Sequence, residues 1–354
     1  MNTYELGLPL VLAALLGVGL VTLSTAVPST ELFTQQLIFL GLALAGCAAV
    51  LWLGRRRIVR LSYLAYAVGI LLLILTQLFG IEVNGARSWL RLGPLPSFQP
   101  SELAKIALIM ALALALHERP IKNLLSYLRP AILIALPFVL VFTEPDLGGA
   151  LVIAATGAGM LLVRGIPWRH LALLALVMAV ALPTVVWPNL APHQRQRLEI
   201  FINPASDPRG AGFQVIQSRI AIGSGGMWGK GYGQGTQSQL GFIPERHNDF
   251  IFPVLAEEGG FVGAVVLLIL YGLLFWRLVA MAAECPLERD QLLIVGVLSK
   301  IAFQSLLNIG VTLGLAPVTG VNLPLVSAGG TSLIATLLAL SLAYVVHRDR
   351  YQEW

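Results

Sequence analysis

Apolar residues run along this chain in long blocks. They show neither the alternation of a half-buried strand nor much of the one-in-three-or-four rhythm of a soluble helix. A helix needs roughly 20 mostly apolar residues to cross a bilayer. Ten blocks approach or reach that length, at about 8–27, 35–53, 61–80, 101–117, 129–143, 146–163, 168–187, 252–276, 291–314 and 325–346. The pattern predicts an all-α, polytopic membrane protein with about ten transmembrane helices. Short polar connections join most blocks. The exception is the long polar stretch 188–251, between the seventh and eighth. The chain from 1 to 354 reads as a single integral membrane domain carrying that loop.

Composition narrows the alternatives. The chain is 57% hydrophobic and only 12% charged, where a soluble domain has about a quarter of its residues charged. The net charge of +5 raises nucleic acid as a partner, but the placement of the charges argues against it. Thirteen Lys and Arg fall in loops on the side of the termini, among them Arg55, Arg56, Arg57 and Arg60. The short loops opposite hold only Arg87 and Arg91. Cytoplasmic loops carry the excess of Lys and Arg, and long loops cross regardless of charge. Both termini are therefore expected in the cytoplasm of a multi-pass protein, with the loop 188–251 outside. Basic residues scattered over five segments, with no stacking platform, predict no nucleic-acid binding. Cys47 and Cys285 are isolated, so neither a disulfide framework nor a metal site is implied. The N-terminus lacks a basic leader and a cleavage site, and reads as the first span.

The remaining polar residues are few, and charges at membrane depth are functional candidates by default. The long loop ends in Glu245-Arg246-His247-Asn248-Asp249, just before a span that carries Glu257 and Glu258. Asp249 at a helix start is explained equally by the positive end of the helix dipole and by a role as general base. Glu102 and Lys105 stand three residues apart on one face of the fourth span, either as a structural pair or as part of a polar cavity. Arg87, in Asn84-Gly85-Ala86-Arg87-Ser88-Trp89, suits a phosphate and equally suits snorkelling to the interface. Residues 223–235 are glycine-rich and hold Lys230. They fail the nucleotide P-loop pattern, since Gly231 follows the lysine. An anion nest and a loop with conformational glycines both remain open. Residues 213–222 put Phe213, Ile216 and Ile220 on one face, predicting a short amphipathic helix at the interface. Glu144-Pro145-Asp146 reads as a helix start, Gln304 and Asn308 as helix–helix hydrogen bonders, and Lys300 gives no signal of its own.

Taken together, these pieces resemble the SEDS family of bacterial cell-wall proteins (RodA, FtsW and their sporulation relative). The residues that carry the resemblance are NGARSW at 84–89, QPSELAK at 99–105, EPDLGGA at 144–150, AIGSGGMWGKG at 221–231, PERHNDFIF at 244–252, AEEGG at 256–260 and NLPLVSAGG at 322–330. They occur in the family's order over nearly the whole chain. Ser88, Asn248 and Ala328 depart from residues common in the family at those places. The Ala-Glu-Glu of span eight makes the chain more similar to RodA, the elongation branch, than to FtsW.

The resemblance implies glycosyl transfer, polymerising peptidoglycan glycan strands from lipid II at the outer face of the bacterial inner membrane. It implies Asp249 as the essential acid and the pair Glu102 and Lys105 as part of the site. Arg87, Lys230, His247 and Glu258 are expected to bind substrate. The leaving pyrophosphate needs cations or fixed N–H donors. A divalent cation, Mg or Mn, is compatible with that role, although no ligand set is legible. The implied partners are a class B penicillin-binding protein that crosslinks the strands and other membrane proteins of the elongation complex. The rival readings are a lipid II flippase or other transporter, which wants its charges near the midplane, and a scaffold without catalysis.

Overall fold

The fold is taken from a computed structural model, which describes residues 3–27, 29–83, 86–91, 97–118, 124–167, 199–204 and 210–351, with isolated positions between 168 and 209. The seventh predicted span, 168–187, lies for the most part outside the described residues, as do Asn84, Gly85 and much of 188–209. Among the described residues, eight helices are long and apolar enough to cross a membrane, and a ninth, shorter one is apolar throughout.

In chain order the helices are α1 (Thr3–Ala26), α2 (Thr30–Arg60), α3 (Ser62–Phe79), α4 (Pro100–Glu118), α5 (Leu128–Thr143), α6 (Leu147–Val163), α7 (Ala211–Ser224), α8 (Ile251–Ala283), α9 (Glu288–Leu313) and α10 (Gly330–Arg348). Between α3 and α4 lies a two-stranded antiparallel ribbon, β1 (Ile81–Val83) and β2 (Ala86–Trp89), pairing Ile81 with Trp89 and Val83 with Ala86. Periodicity did not predict this ribbon.

The helices divide into an inner and an outer set. Most of α4 is buried (78%), against 6% for α2. Five of the 19 residues of α4 are Ala, and small side chains let helix backbones approach in lipid. Helices α9 and α10 complete the inner set, while α3, α5 and α8 keep apolar faces outward. Pro100 opens α4 at its first position, where its missing N–H costs nothing.

Two predicted spans are corrected. The tenth was placed at 325–346, but its helix begins only at Gly330. Residues 323–328 turn instead, with the Val326 N–H donating to Leu323 O at 3.2 Å and the Ser327 N–H to the same oxygen at 3.0 Å. The eighth, placed at 252–276, runs on to Ala283 but is broken at Gly260, which sits at φ 66° and ψ −164°.

That break leaves backbone groups without helical partners, and at membrane depth such groups must be paired within the protein. The glycine-rich loop supplies the partners. Lys230 N donates to Glu257 O at 3.0 Å and Gly231 N to Glu258 O at 3.1 Å. In return Phe261 N donates to Gly226 O at 2.8 Å and Val262 N to Met227 O at 3.1 Å. A Cβ on Gly260 would stand 2.2 Å from Gly229 N, so the two glycines let the strands of chain touch.

The amphipathic helix predicted at 213–222 exists as α7, but its packed face is another one. It buries Val215, Ser218 and Ala221 and leaves Ile220 exposed. The Ser218 hydroxyl donates to Thr312 O of α9 at 2.7 Å, and Val215 and Ala221 on the same face join Val311 of α9 in one apolar cluster.

Gly260→Ala should lower the thermal midpoint in detergent. A residue forced into that backbone region costs about 1–3 kcal/mol, before the contact with Gly229 is counted. Gly272→Ala on the same helix, where nothing stands within 4 Å of the new methyl, should leave the midpoint unchanged or raise it. Equal midpoints for the two variants would remove the structural role given to the break.

Candidate functional site

The N-termini of α4, α6, α8 and α10 meet around one cavity of about 280 Å³. Gln99, Glu102 and Lys105 line it from α4, Asp146 and Gly149 from α6, Asn248 and Asp249 from the approach to α8, and Thr331 and Ser332 from α10. Ser88 and Trp89 of β2, Glu245, and the segment Thr319–Asn322 add to the wall. Four helix N-termini bring four sets of N–H groups and the positive ends of four dipoles to the same place, a setting that favours anions.

Asp249 is held by its backbone. Its carbonyl accepts from Asn308 Nδ2 of α9 at 2.8 Å, and the same amide donates to Val321 O at 2.7 Å. On either side, Ser327 Oγ donates to Asn248 O at 2.6 Å and Ala328 N to His247 O at 2.8 Å. Gln304 Nε2 donates to Asn322 O at 3.1 Å, and the Tyr271 hydroxyl to Pro324 O at 2.5 Å. Asn308 and Gln304 therefore bind loop backbone, whereas the sequence suggested contacts between helices.

Lys105 Nζ donates to Glu102 Oε1 at 2.7 Å. The other oxygen, Oε2, faces Lys300 Nζ of α9 at 3.4 Å. Lys300 is 0% exposed and also reaches Thr336 Oγ1 of α10 at 3.4 Å. One carboxylate thus lies between two ammonium groups. A lone charge in a span is itself a functional signal, and Lys300 carried it.

Asp146 caps α6, its Oδ1 accepting from Gly149 N at 2.7 Å, while Oδ2 accepts from Gln99 Nε2 at 3.1 Å. Reading Glu-Pro-Asp as a helix start is right locally, but it misses that this cap lines the cavity. Glu144, next to it, is 2% exposed, and neither of its oxygens has a hydrogen-bond partner among the described residues. Burial, helped by the charge of Asp146, pushes its carboxyl up to about 8.

Of the seven site residues singled out in the sequence, the cavity unites Asp249, Glu102 and Lys105. The other four do not line it. Arg87 is exposed on β2, one position before Ser88. His247 is half-buried, and burial holds its imidazole below the usual range, leaving it without charge at neutral pH. Glu258 accepts from the Thr25 hydroxyl at 2.9 Å.

Lys230 is engaged elsewhere, at 2.7 Å from Glu257 Oε1. The same carboxylate accepts from Gln237 N at 2.9 Å and Ser238 N at 3.2 Å. The anion wrapped by the glycine-rich loop and its downstream turn is the chain's own Glu257. Among the described residues, no group of three or more His, Cys, Asp or Glu side chains is placed to hold a metal ion.

A bundle of apolar helices around one charged cavity defines a multi-pass membrane protein. Residues 6–352 match the family model described as Cell cycle protein, which covers FtsW, RodA and SpoVE, and the chain belongs to that family. It is 41% identical over 286 residues to the peptidoglycan glycosyltransferase MrdB of Escherichia coli K12, covering 80% of this chain and 77% of that one. It is 38% identical to a probable peptidoglycan glycosyltransferase FtsW of Thioalkalivibrio sulfidiphilus, covering 99% and 90%. Among solved structures it superposes on the Thermus thermophilus rod shape determining protein RodA with a TM-score of 0.76 and 41% identity, covering 98% of this chain and 97% of that one. A chain of a peptidoglycan synthase complex that coordinates polymerization and crosslinking gives a TM-score of 0.88 and 47% identity, over the full length of both chains.

A carboxyl with a raised pKa binds more protons folded than unfolded. Glu144 therefore adds stability that is complete below its ordinary value of 4.5 and is lost as pH rises through about 8. Glu144→Gln should flatten the fall in thermal midpoint between those two pH values. Parallel curves for variant and wild type would show that Glu144 is ionised in the folded protein.

Proposed function

We propose that this chain is a peptidoglycan glycosyltransferase that polymerises glycan strands in cell elongation, taking lipid II as its substrate. The observation that carries the reading is the single cavity shared by Asp249, Glu102 and Lys105. It combines a carboxylate that can accept a proton with a cation and helix N-termini that can receive a leaving anion. The family membership and the activities named for the relatives support the same reaction.

The acceptor is a sugar hydroxyl, a weak nucleophile that needs a base. Asp249 takes its proton as the hydroxyl oxygen bonds to the donor's anomeric carbon. The bond from that carbon to the pyrophosphate oxygen breaks, and its electron pair leaves on the lipid pyrophosphate. Lys105, oriented by Glu102, and the N–H groups at the starts of α4, α6, α8 and α10 oppose that developing charge. A donor α-linked to phosphate and a β-linked product require one inverting displacement. The lipid tail remains among the apolar helices.

In this reading both termini face the cytoplasm of a bacterial inner membrane and the cavity opens outward, as the Lys and Arg distribution supports. The chain has no Ser-x-x-Lys sequence for transpeptidation. Crosslinking falls to a class B penicillin-binding protein, and a synthase complex among the structural neighbours supports that partnership.

Purified protein with its class B partner, given lipid II in detergent, should produce a ladder of glycan strands on a gel. Asp249→Asn should reduce the ladder by roughly 10²–10⁴, the usual contribution of a general base. No ladder from the wild type, with movement of lipid II across liposomes instead, would replace the enzyme with a carrier.

A further inference from the structure

Lys300 has no obvious structural reason to be charged. It is wholly buried on α9, does not line the cavity, and among the described residues makes only long polar contacts, at 3.4 Å to Glu102 and 3.4 Å to Thr336. An apolar residue of similar length would remove a costly buried cation, and such replacements are often neutral or stabilising. Its effect falls on Glu102, the residue that links it to the cavity.

With Lys105 alone, Glu102 would form a neutral pair and offer the cavity little net charge. With Lys300 on the second oxygen, two cations share one anion. The surplus positive charge lies on the wall made by α4, with Lys300 of α9 behind it. Lys105 Nζ is the member of the trio that both carries positive charge and lines the cavity. The other acids of the cavity lie on other elements, Asp249 and Glu245 ahead of α8 and Asp146 at the start of α6, the last engaged by Gly149 and Gln99.

We propose that Lys300 is a positioning residue for anion binding: by holding Glu102 Oε2 it leaves Lys105 as surplus charge for the diphosphate group of the donor. The proposal rests on the reading of the cavity as the site of a diphosphate-linked donor. Lys300 touches no substrate, and its influence passes through the carboxylate it shares.

The test is calorimetric titration of inorganic pyrophosphate into purified protein in detergent, with the thermal midpoint measured for each variant. Wild type should bind, and Asp249→Asn, which stops turnover, should bind at least as tightly. Lys300→Met should bind roughly tenfold more weakly or worse, with an unchanged or higher midpoint. Adding Glu102→Gln to Lys300→Met restores the charge balance and should recover most of the lost affinity. Unchanged binding by Lys300→Met, a double variant as weak as the single, or no binding by the wild type would each overturn the proposal. Pyrophosphate binding without a glycan ladder would overturn the proposed reaction and leave the role of Lys300 standing.

Discussion

Lipid offers no hydrogen bonds, so every peptide group that leaves a helix at membrane depth has to find its partner inside the protein. Among the described residues, two such departures are at Gly260 within α8 and over residues 321–329 ahead of α10. The first break is paired by the glycine-rich loop. The second is paired by Asn308, Gln304, Tyr271 and the segment carrying His247 and Asn248. Asp249 is fixed as a by-product of the second repair, because Asn308 donates to Asp249 O and Val321 O together. Backbone pairing at one irregular turn therefore sets where the candidate base stands.

The same constraint separates what the sequence reveals from what it hides. Helix existence is legible because burial in lipid demands long apolar blocks, and nine of the ten predicted spans correspond to described helices. The start of α10 is not legible, because Leu323, Leu325 and Val326 are as apolar as any helical residue, and only their hydrogen bonds show that they turn. Asp249, Glu102 and Lys105 stood out as charges at membrane depth. Their meeting in one cavity could not be read, since Glu102 and Asp249 are far apart along the chain. Asp146 and Lys300 were passed over for opposite reasons. Asp146 has a sufficient local explanation as a cap, and Lys300 has no local neighbour to explain it.

Glycine-rich sequence beside a lysine invites a phosphate, and here geometry gives a different answer. Successive N–H groups and Lys230 do surround an anion, but it is Glu257, 0% exposed and bonded by Lys230, Gln237 and Ser238. The site is satisfied from within. Its glycines allow backbone contact with the broken helix, as the approach of Gly229 to Gly260 requires. A substrate anion would have to displace a buried carboxylate to bind there, and charge-assisted hydrogen bonds of this kind are among the strongest in proteins.

Acids on neighbouring elements are thus assigned different work by what surrounds them. Glu257 is neutralised by a lysine and several N–H groups, so its charge serves to hold the loop. Glu102 is also paired, yet its two lysines exceed its own charge and leave a cation facing the cavity. Asp249 stands at the mouth of α8, fixed through its carbonyl by an amide of α9. A proton acceptor and an anion acceptor are useful together only if they do not neutralise each other. The fold meets that condition by giving the cation its own carboxylate on α4 and placing the candidate base on a different element that lines the same cavity.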